Sequence, residues 1–552
     1  MRWARFAMIL SMVTLQVAFA ASPGSQFLFG DIHYGYQPPY IAGPHRLVML
    51  SGMGNDRMRI DTGNPEAQRW FDYALTLARA FEHDDAKLAF RKAASLDPSC
   101  SLCVWGEAYS LGPTINFPVS RKQSASALVL ALKAQRLAGP RLPEEDRRFE
   151  SAMVDRYTHV DQSGRSDLRY ARDIDEILQS DPKNLELNIF DAEAWLIMES
   201  HHDHSGLAKV IARMRPLVRT HPDYTGLVHF YIHVTEDDGV PQLAEPYVAR
   251  LAELCPNASH LVHMPSHTDY RIGRYEAAAL ANLAALKADE VYAEKTDFPT
   301  PLGGLMYHFH DVQFGLASAM MSGDSHIVLR LVDQFNRDFP NPAAYGDLPQ
   351  MVAGLAYAAF GRFAPARAVL TLPAAPASKP FLIAMRHYAR GEAFARLGEA
   401  AALRNEARET RLGWDKKGTA PSGLFFTTVR IAHLELTGRS EWLAGDLKGA
   451  TTMFRKAADL EDARFAQDDD PPRWWYPVRR SLAAALLAQG DAKAAEREAD
   501  TVLKTWKLDP ITLAIRSKAE RAVEDPRAQT DWNRAIRRWR GDPKALVPGP
   551  LS

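Results

Sequence analysis

Three cysteines in 552 residues cannot staple a chain of this size, so a disulfide framework is excluded as its source of stability. Two of them, Cys100 and Cys103, form a C-x-x-C in "DPSCSLCVWGEAYSLG". That stretch reads as a helix start, which favours buried structural cysteines over a redox turn and leaves open a disulfide in an exported protein. Charge of one sign is also missing. The formal net charge is −1, which removes any electrostatic reason to expect nucleic acid or an anionic membrane as partner. After the first twenty residues no run reaches the roughly 18 apolar residues that a membrane span needs. Sustained strand-type alternation is absent. So are H-E-x-x-H, the phosphate-binding G-x-x-x-x-G-K-[ST] and a credible nucleophile elbow.

What is present begins with "MRWARFAMILSMVTLQVAFA". Two arginines, an apolar run and the small-x-small Ala18-Phe19-Ala20 predict a signal peptide over 1–20 and a periplasmic or secreted protein starting near Ala21. Residues 21–64, rich in Gly and Pro, read as an extended leader that wraps the helical array. From there the chain repeats itself. "FDYALTLARAFEHDDAKLAFRKAASLDP" runs helix, polar turn, helix, then Asp-Pro, and "AAALLAQGDAKAAEREADTVLKTWKLDP" repeats that cadence near the other end. His221-Pro222 and Cys255-Pro256 are 34 residues apart, the tetratricopeptide period. The expectation is an all-α, tetratricopeptide-like solenoid, a superhelix of helix pairs each stable only when stacked on its neighbours. An N-terminal array over 65–371 and a C-terminal array over 381–545 meet at the looser Leu372–Pro380.

Histidine is concentrated in one region: eleven of the 18 lie between His201 and His310. His229 and His233 stand at i and i+4, on one face of one helix, and Glu236 continues the stripe. Adding the period to 229 and 233 gives 263 and 267, and both are histidine. His260 precedes them, and His310, followed by Gln313, falls in the next unit. Equivalent positions of successive repeats are neighbours across packed helices about 8–10 Å apart, so imidazoles can meet in the concave groove. Pro265 removes a backbone donor and should break its helix, placing His267 in a new first turn that favours a neutral ring. A packed, hydrogen-bonded histidine layer inside the solenoid is the other reading of the same spacing. His201, His202 and His204 read as a solvated loop, and "RWWYP" (Arg473 to Pro477) as interhelical packing or a pocket wall.

These motifs carry a resemblance. "HFYIHVTE", "HLVHMPSH" and "YHFHDVQF" resemble the H-x-Y-I-H-x-x-E, H-L-x-H-M-P-S-H and Y-x-x-H-N-x-H-F signatures of a family of bacterial exported tetratricopeptide-repeat proteins. The likeness extends from about Pro65 to about Pro510, with Gln313 standing where the family has a last histidine. It implies the same fold and site and supplies no reaction.

Two functions are compatible with these patterns. The first is a metal-dependent enzyme, redox or hydrolytic. Its transition metal, copper or zinc first, is held by His229, His233, His260, His263, His267 and His310, because imidazole-dominated sets disfavour Mg and Ca. Glu236 is then a general base or an orienting group, and Asp311 or Asp269 sets a ring tautomer. The second is a metal-free scaffold gripping a peptide or protein in its groove. In either case the partner is a small molecule or peptide, with no nucleic acid and no membrane span.

Overall fold

A computed structural model describes residues 46–139, 142–158, 164–199, 204–299, 301–342, 346–415, 423–465 and 470–552. The segment expected to be a signal peptide and most of the expected leader lie outside the described residues, as do His201 and His202.

The described residues contain α-helices and short 3-10 turns and no strand. Each helix packs on its chain neighbour: Pro65–Arg79 on His83–Leu96, Tyr275–Thr296 on His308–Ser322, Gly423–Leu443 on Leu447–Arg464. Alternate helices also touch, as Leu185–Glu199 does with Thr225–Asp237. That is the contact pattern of stacked helix pairs. No described helix is long and apolar enough to cross a membrane. One apolar cluster runs from Met53 to Tyr307 and another from Tyr270 to Val478, the second continuing on both sides of Leu372–Pro380.

The repeat turns obey local chemistry. After Thr225–Asp237 and after Pro265–Arg271 the chain turns through Gly239 (φ 72°) and Gly273 (φ 81°), again 34 residues apart. In both, the residue after the glycine donates back into the last turn: Val240 N–H to the Thr235 carbonyl and Arg274 N–H to the Asp269 carbonyl. A left-handed residue is needed to close that turn, which glycine supplies without strain. At Gly273 the absent side chain has a second use. A Cβ there would strike the Lys507 carbonyl oxygen, to which Tyr275 Oη also donates (3.0 Å). The C-terminal helices around Lys507 therefore pack back against the helices that carry the histidines.

The described end of the leader holds the first of those helices. Thr225–Asp237 has no side-chain cap of its own. Its exposed donors are met from the leader instead: Thr225 N–H by Asn55 Oδ1 (3.1 Å) and Gly226 N–H by Asp56 Oδ1 (2.9 Å). The Asp56 carboxylate sits where a helix start favours negative charge. Cys100 and Cys103 form a disulfide at the start of Ser101–Tyr109, both buried, and Cys255 is a buried free thiol.

Candidate metal centre

Four helices bring the histidines together. His229 and His233 come from Thr225–Asp237, His260 and His263 from Ser259–His263, His267 from Pro265–Arg271, and His310 from His308–Ser322. The break expected at Pro265 is there, with Met264 as the joint and His267 in the new first turn.

The six rings form one continuous cluster. His229 Nε2 lies 3.1 Å from His260 Nε2 and 3.1 Å from His233 Nε2. His263 Nε2 lies 2.8 Å from His267 Nε2, and the His263 and His310 ring centroids are 4.8 Å apart. His260 and His263 (5.7 Å) and His233 and His267 (5.2 Å) join the two halves. Ligand atoms of His229, His233 and His260 fall within 4.8 Å of one another, and so do those of His263, His310 and Asp311. Glu236, His267 and Asp470 form a third such group, so the arrangement is three adjacent sets of candidate ligands.

An open groove lining was expected, but the cluster is enclosed. His229, His260, His263 and His267 are at most 2% exposed and His233 is 7% exposed, which leaves His310 at the margin. Two things close it. Tyr307 lies tilted against His260 (5.0 Å), and Phe81 lies over His260 at 4.3 Å and meets His229 edge-on at 4.9 Å. From the far side the C-terminal array brings Asp470 onto His267.

Phe81 has φ 62°, in the left-handed region, and it stands where glycine usually ends a helix. Its N–H reaches the Ala78 carbonyl and that of Glu82 reaches the Leu77 carbonyl, the same closing turn as at Gly239 and Gly273. A phenylalanine there costs about 1–3 kcal/mol of backbone strain. The ring packed on two imidazoles offsets that cost. Phe81→Gly should therefore destabilise despite relieving strain, by about 1–3 kcal/mol net, since losing a buried phenyl costs about 3–5 kcal/mol. Denaturant unfolding measures this, and a gain in stability would contradict the assigned role.

Carboxylates and an amide orient the second triad. His263 Nδ1 donates to Asn282 Oδ1 (2.7 Å), while Asn282 Nδ2 donates to the Ala278 carbonyl (2.8 Å) and so fixes which way the amide faces. His263 Nε2 is left with its lone pair toward the cluster. Asp311 Oδ1 is 3.4 Å from His263 Nδ1 and 3.6 Å from His310 Nδ1, and its Oδ2 accepts from Ser259 Oγ (3.0 Å). Burial raises the Asp311 carboxyl to about 6. Asp269 is not at the site; it faces Arg274 at 3.7 Å. His308, two residues before His310, faces away and is held by Asp289 and Asp338 at 2.7 Å each.

His267 departs from expectation. Its Nδ1 is 2.6 Å from Glu236 Oε2 and 2.6 Å from Asp470 Oδ2. Burial works against its charge, but Asp470 and then Glu236 outweigh burial and push its pKa up to about 10. The neutral ring expected from the helix start is overridden by a carboxylate from a distant repeat. Glu236 also accepts from Arg271 Nε (2.7 Å), so both its oxygens are engaged. Burial opposes its charge as well, yet His267 and Arg271 hold it far below the usual carboxylate range. Burial, and then the neighbouring imidazoles, lower His229, His260 and His263 well below 6.5, and His233 falls to about 3. These four rings are neutral.

Fold and site together define a tetratricopeptide-like helical solenoid with a buried histidine cluster that could hold metal ions. No protein-family model matches the chain, and no curated protein matches it. Among solved structures it is similar to the human IFIT1 dimer with m7Gppp-AAAA, at 14% identity over 87% of this chain and 91% of that one, TM-score 0.32. It is also similar to the APC/C hetero-tetramer Cut9-Hcn1, at 15% identity over 89% and 91%, TM-score 0.27. The P58(IPK) TPR domain matches at 11% identity over 83% and 98%, TM-score 0.21. Likeness at these scores carries no argument; the fold rests on the chain's own helices.

Proposed function

We propose that this chain binds transition-metal ions in the two histidine triads and is a metal-dependent enzyme. The carrying observation is the position of His229 Nε2, 3.1 Å from two other Nε2 atoms. A ring nitrogen has either one hydrogen or one lone pair, so the two contacts can at best share one N–H as a weak three-centre bond. A hydrogen-bonded histidine layer therefore leaves the Nε2 of His233 or of His260 poorly satisfied in a buried site. A cation at the convergence point takes a lone pair from all three rings, and burial has already made them neutral.

One ion is assigned to His229, His233 and His260. The second is assigned to His263 and His310 with Asp311, joined by His267 once the metal has displaced its Nε2 proton. Glu236 and Asp470 orient His267 through Nδ1 and make it a stronger donor, as carboxylates behind a ligating imidazole do. With both oxygens engaged, Glu236 fits that role better than the role of general base. An imidazole set of this kind suits copper, zinc, iron or nickel. Copper would supply electron transfer, and zinc a polarised water. The Cys100–Cys103 disulfide and the 1–20 segment support an exported protein.

The test is elemental analysis of protein purified without a histidine tag, with copper and zinc added back after chelation. About two equivalents of a transition metal per chain are expected, bound tightly enough to survive gel filtration. A metal-free preparation that also fails to retain either metal ends this reading.

A further inference from the structure

The third set of candidate ligands differs in chemistry from the other two. Glu236, His267 and Asp470 each offer a ligand atom, and these atoms lie within 4.8 Å of one another. They come from three places in the fold: the end of Thr225–Asp237, the first turn of Pro265–Arg271, and the segment before Arg479–Ala488. The set of His229, His233 and His260 is all imidazole, whereas here two carboxylates meet one ring. Exposure differs too. The Asp470 side chain is 22% exposed, against 2% for His267. Glu236 also lines a cavity of about 650 Å³ between the histidine helices and the helices around Lys507.

Hydrogen bonding alone does not satisfy this set. Glu236 Oε2 and Asp470 Oδ2 both lie 2.6 Å from His267 Nδ1. One N–H has one hydrogen, so it makes a short, straight bond to one of these oxygens and leaves the other close to the nitrogen with no hydrogen between them. Glu236 turns its second oxygen to Arg271 Nε (2.7 Å). Asp470 has no such outlet, because its Oδ1 is buried and accepts no hydrogen bond among the described residues. A buried acceptor left without a donor is costly. A cation among the three residues removes both defects: Nδ1 gives it a lone pair, each carboxylate gives an oxygen, and Oδ1 is at hand as a further ligand on the same carboxylate. An ion enclosed by its own ligands needs no solvent-facing oxygen.

We propose that Glu236, Asp470 and His267 Nδ1 hold a third, exchangeable divalent cation, and that His267 bridges it to the second ion as an imidazolate. Two carboxylates to one imidazole make a set that accepts hard ions such as Mn2+, which an all-imidazole set disfavours. The other ring nitrogen already faces the second set, with His267 Nε2 2.8 Å from His263 Nε2. In the two-ion state the carboxylates act on His267 through its Nδ1 hydrogen. The third ion takes the place of that hydrogen, which leaves to solvent as a proton. Beside the cavity and partly exposed, this ion exchanges with solvent and is lost on gel filtration. The bridge rests on the metal reading above; the third site itself does not.

The probe is Mn2+. The full chain is loaded with zinc, passed through gel filtration and titrated with Mn2+, and the free ion is followed by its electron paramagnetic resonance signal. A single saturable site per chain is expected. Mg2+ in about tenfold excess should not empty it, because a nitrogen ligand discriminates against Mg2+. Asp470 is partly exposed, so Asp470→Asn should keep the parent's circular dichroism. It should weaken Mn2+ binding about tenfold or more while the zinc content holds, since Glu236 still orients His267. Glu236→Gln should weaken Mn2+ binding likewise. In the chain loaded with copper instead, Mn2+ should diminish one Cu(II) signal by spin coupling through the shared ring and leave the other in place. Absence of a saturable site, displacement by an equal concentration of Mg2+, or a folded Asp470→Asn variant that binds Mn2+ as the parent does would overturn the third site and leave the carboxylates as orienting groups only. Bound Mn2+ that leaves both copper signals unmoved would overturn the bridge. If the chain retains neither zinc nor copper yet takes up Mn2+ in a way that Asp470→Asn abolishes, the two-ion reading fails and the third site stands.

Discussion

Replacing His229 with alanine should remove about one of two metal equivalents, and replacing His263 should remove the other. Each residue is the hub of its triad. His229 Nε2 contacts both partners, whereas His233 and His260 meet through it. His263 touches His267 through Nε2, packs on His310, and is the ring that Asn282 orients. The loss in affinity at the altered triad should exceed the 10- to 100-fold expected from removing a mere orienting partner. Thermal unfolding gives an independent readout. A ligand at 1,000 times its dissociation constant stabilises by about 4 kcal/mol, so each single variant should lose about half of the metal-dependent rise in midpoint. The double change His233→Ala with His267→Ala cuts one ligand from each triad and should weaken both. If that double variant keeps the parent's full metal content and midpoint, the ligand assignment is wrong.

The second large effect lies in the packing that holds the site helices. Arg79 is completely buried at the end of Pro65–Arg79, two residues before Phe81. Its Nη1 donates to Tyr109 Oη (2.9 Å) and Glu193 Oε2 (3.2 Å), and its Nη2 lies 3.5 Å from Glu186 Oε2. The guanidinium also lies 4.2 Å above the Phe190 ring. Arg79→Met keeps most of the volume and deletes the charge, leaving two carboxylates buried with no cation. A loss of about 3–5 kcal/mol in denaturant unfolding at pH 8 is expected.

The loss should shrink on acidification, and the sign is set by Glu186. Burial, against the pull of Arg79, already raises its pKa to about 7, with Asp56 raising it further and Tyr224 donating to it. A carboxyl whose folded pKa lies above its unfolded value contributes stability that is fully present below the unfolded value. That contribution is lost as pH rises through the folded pKa. Without Arg79 the folded pKa rises again, so the penalty is largest above pH 7 and falls toward pH 5, where the carboxyl is protonated in the folded state. A penalty independent of pH would assign the loss to packing against Phe190 rather than to the orphaned carboxylates.

The histidine cluster was legible because repetition turns sequence spacing into spatial adjacency. The pairs at 229/233 and 263/267 differ by one period, and stacking places them side by side whatever the details of the turns. Pro265 was legible as a candidate break because it lacks an N–H, although Pro216 is carried inside Leu207–Thr220 without a break. Asp470 was not. It lies outside every histidine motif and reaches His267 because the C-terminal array folds back, pinned where Gly273 admits the Lys507 carbonyl. With it went the charge on His267, which a helix start alone would have kept neutral. Phe81 gave no signal either, since a left-handed phenylalanine looks in sequence like any other apolar residue at a helix end.

Composition and periodicity by themselves determined the helical class, the stacking of pairs and the register that aligns the imidazoles, because those depend on interactions within one repeat and its neighbour. Only the tertiary structure decided that the rings are buried instead of lining an open groove, how they group, and which carboxylates stand behind them. Those outcomes depend on how the later helices fold back onto the middle of the chain, as Asp470 does at His267 and Lys507 at Gly273. That return depends on the packing of many successive helix pairs, none of it written in any single stretch of residues.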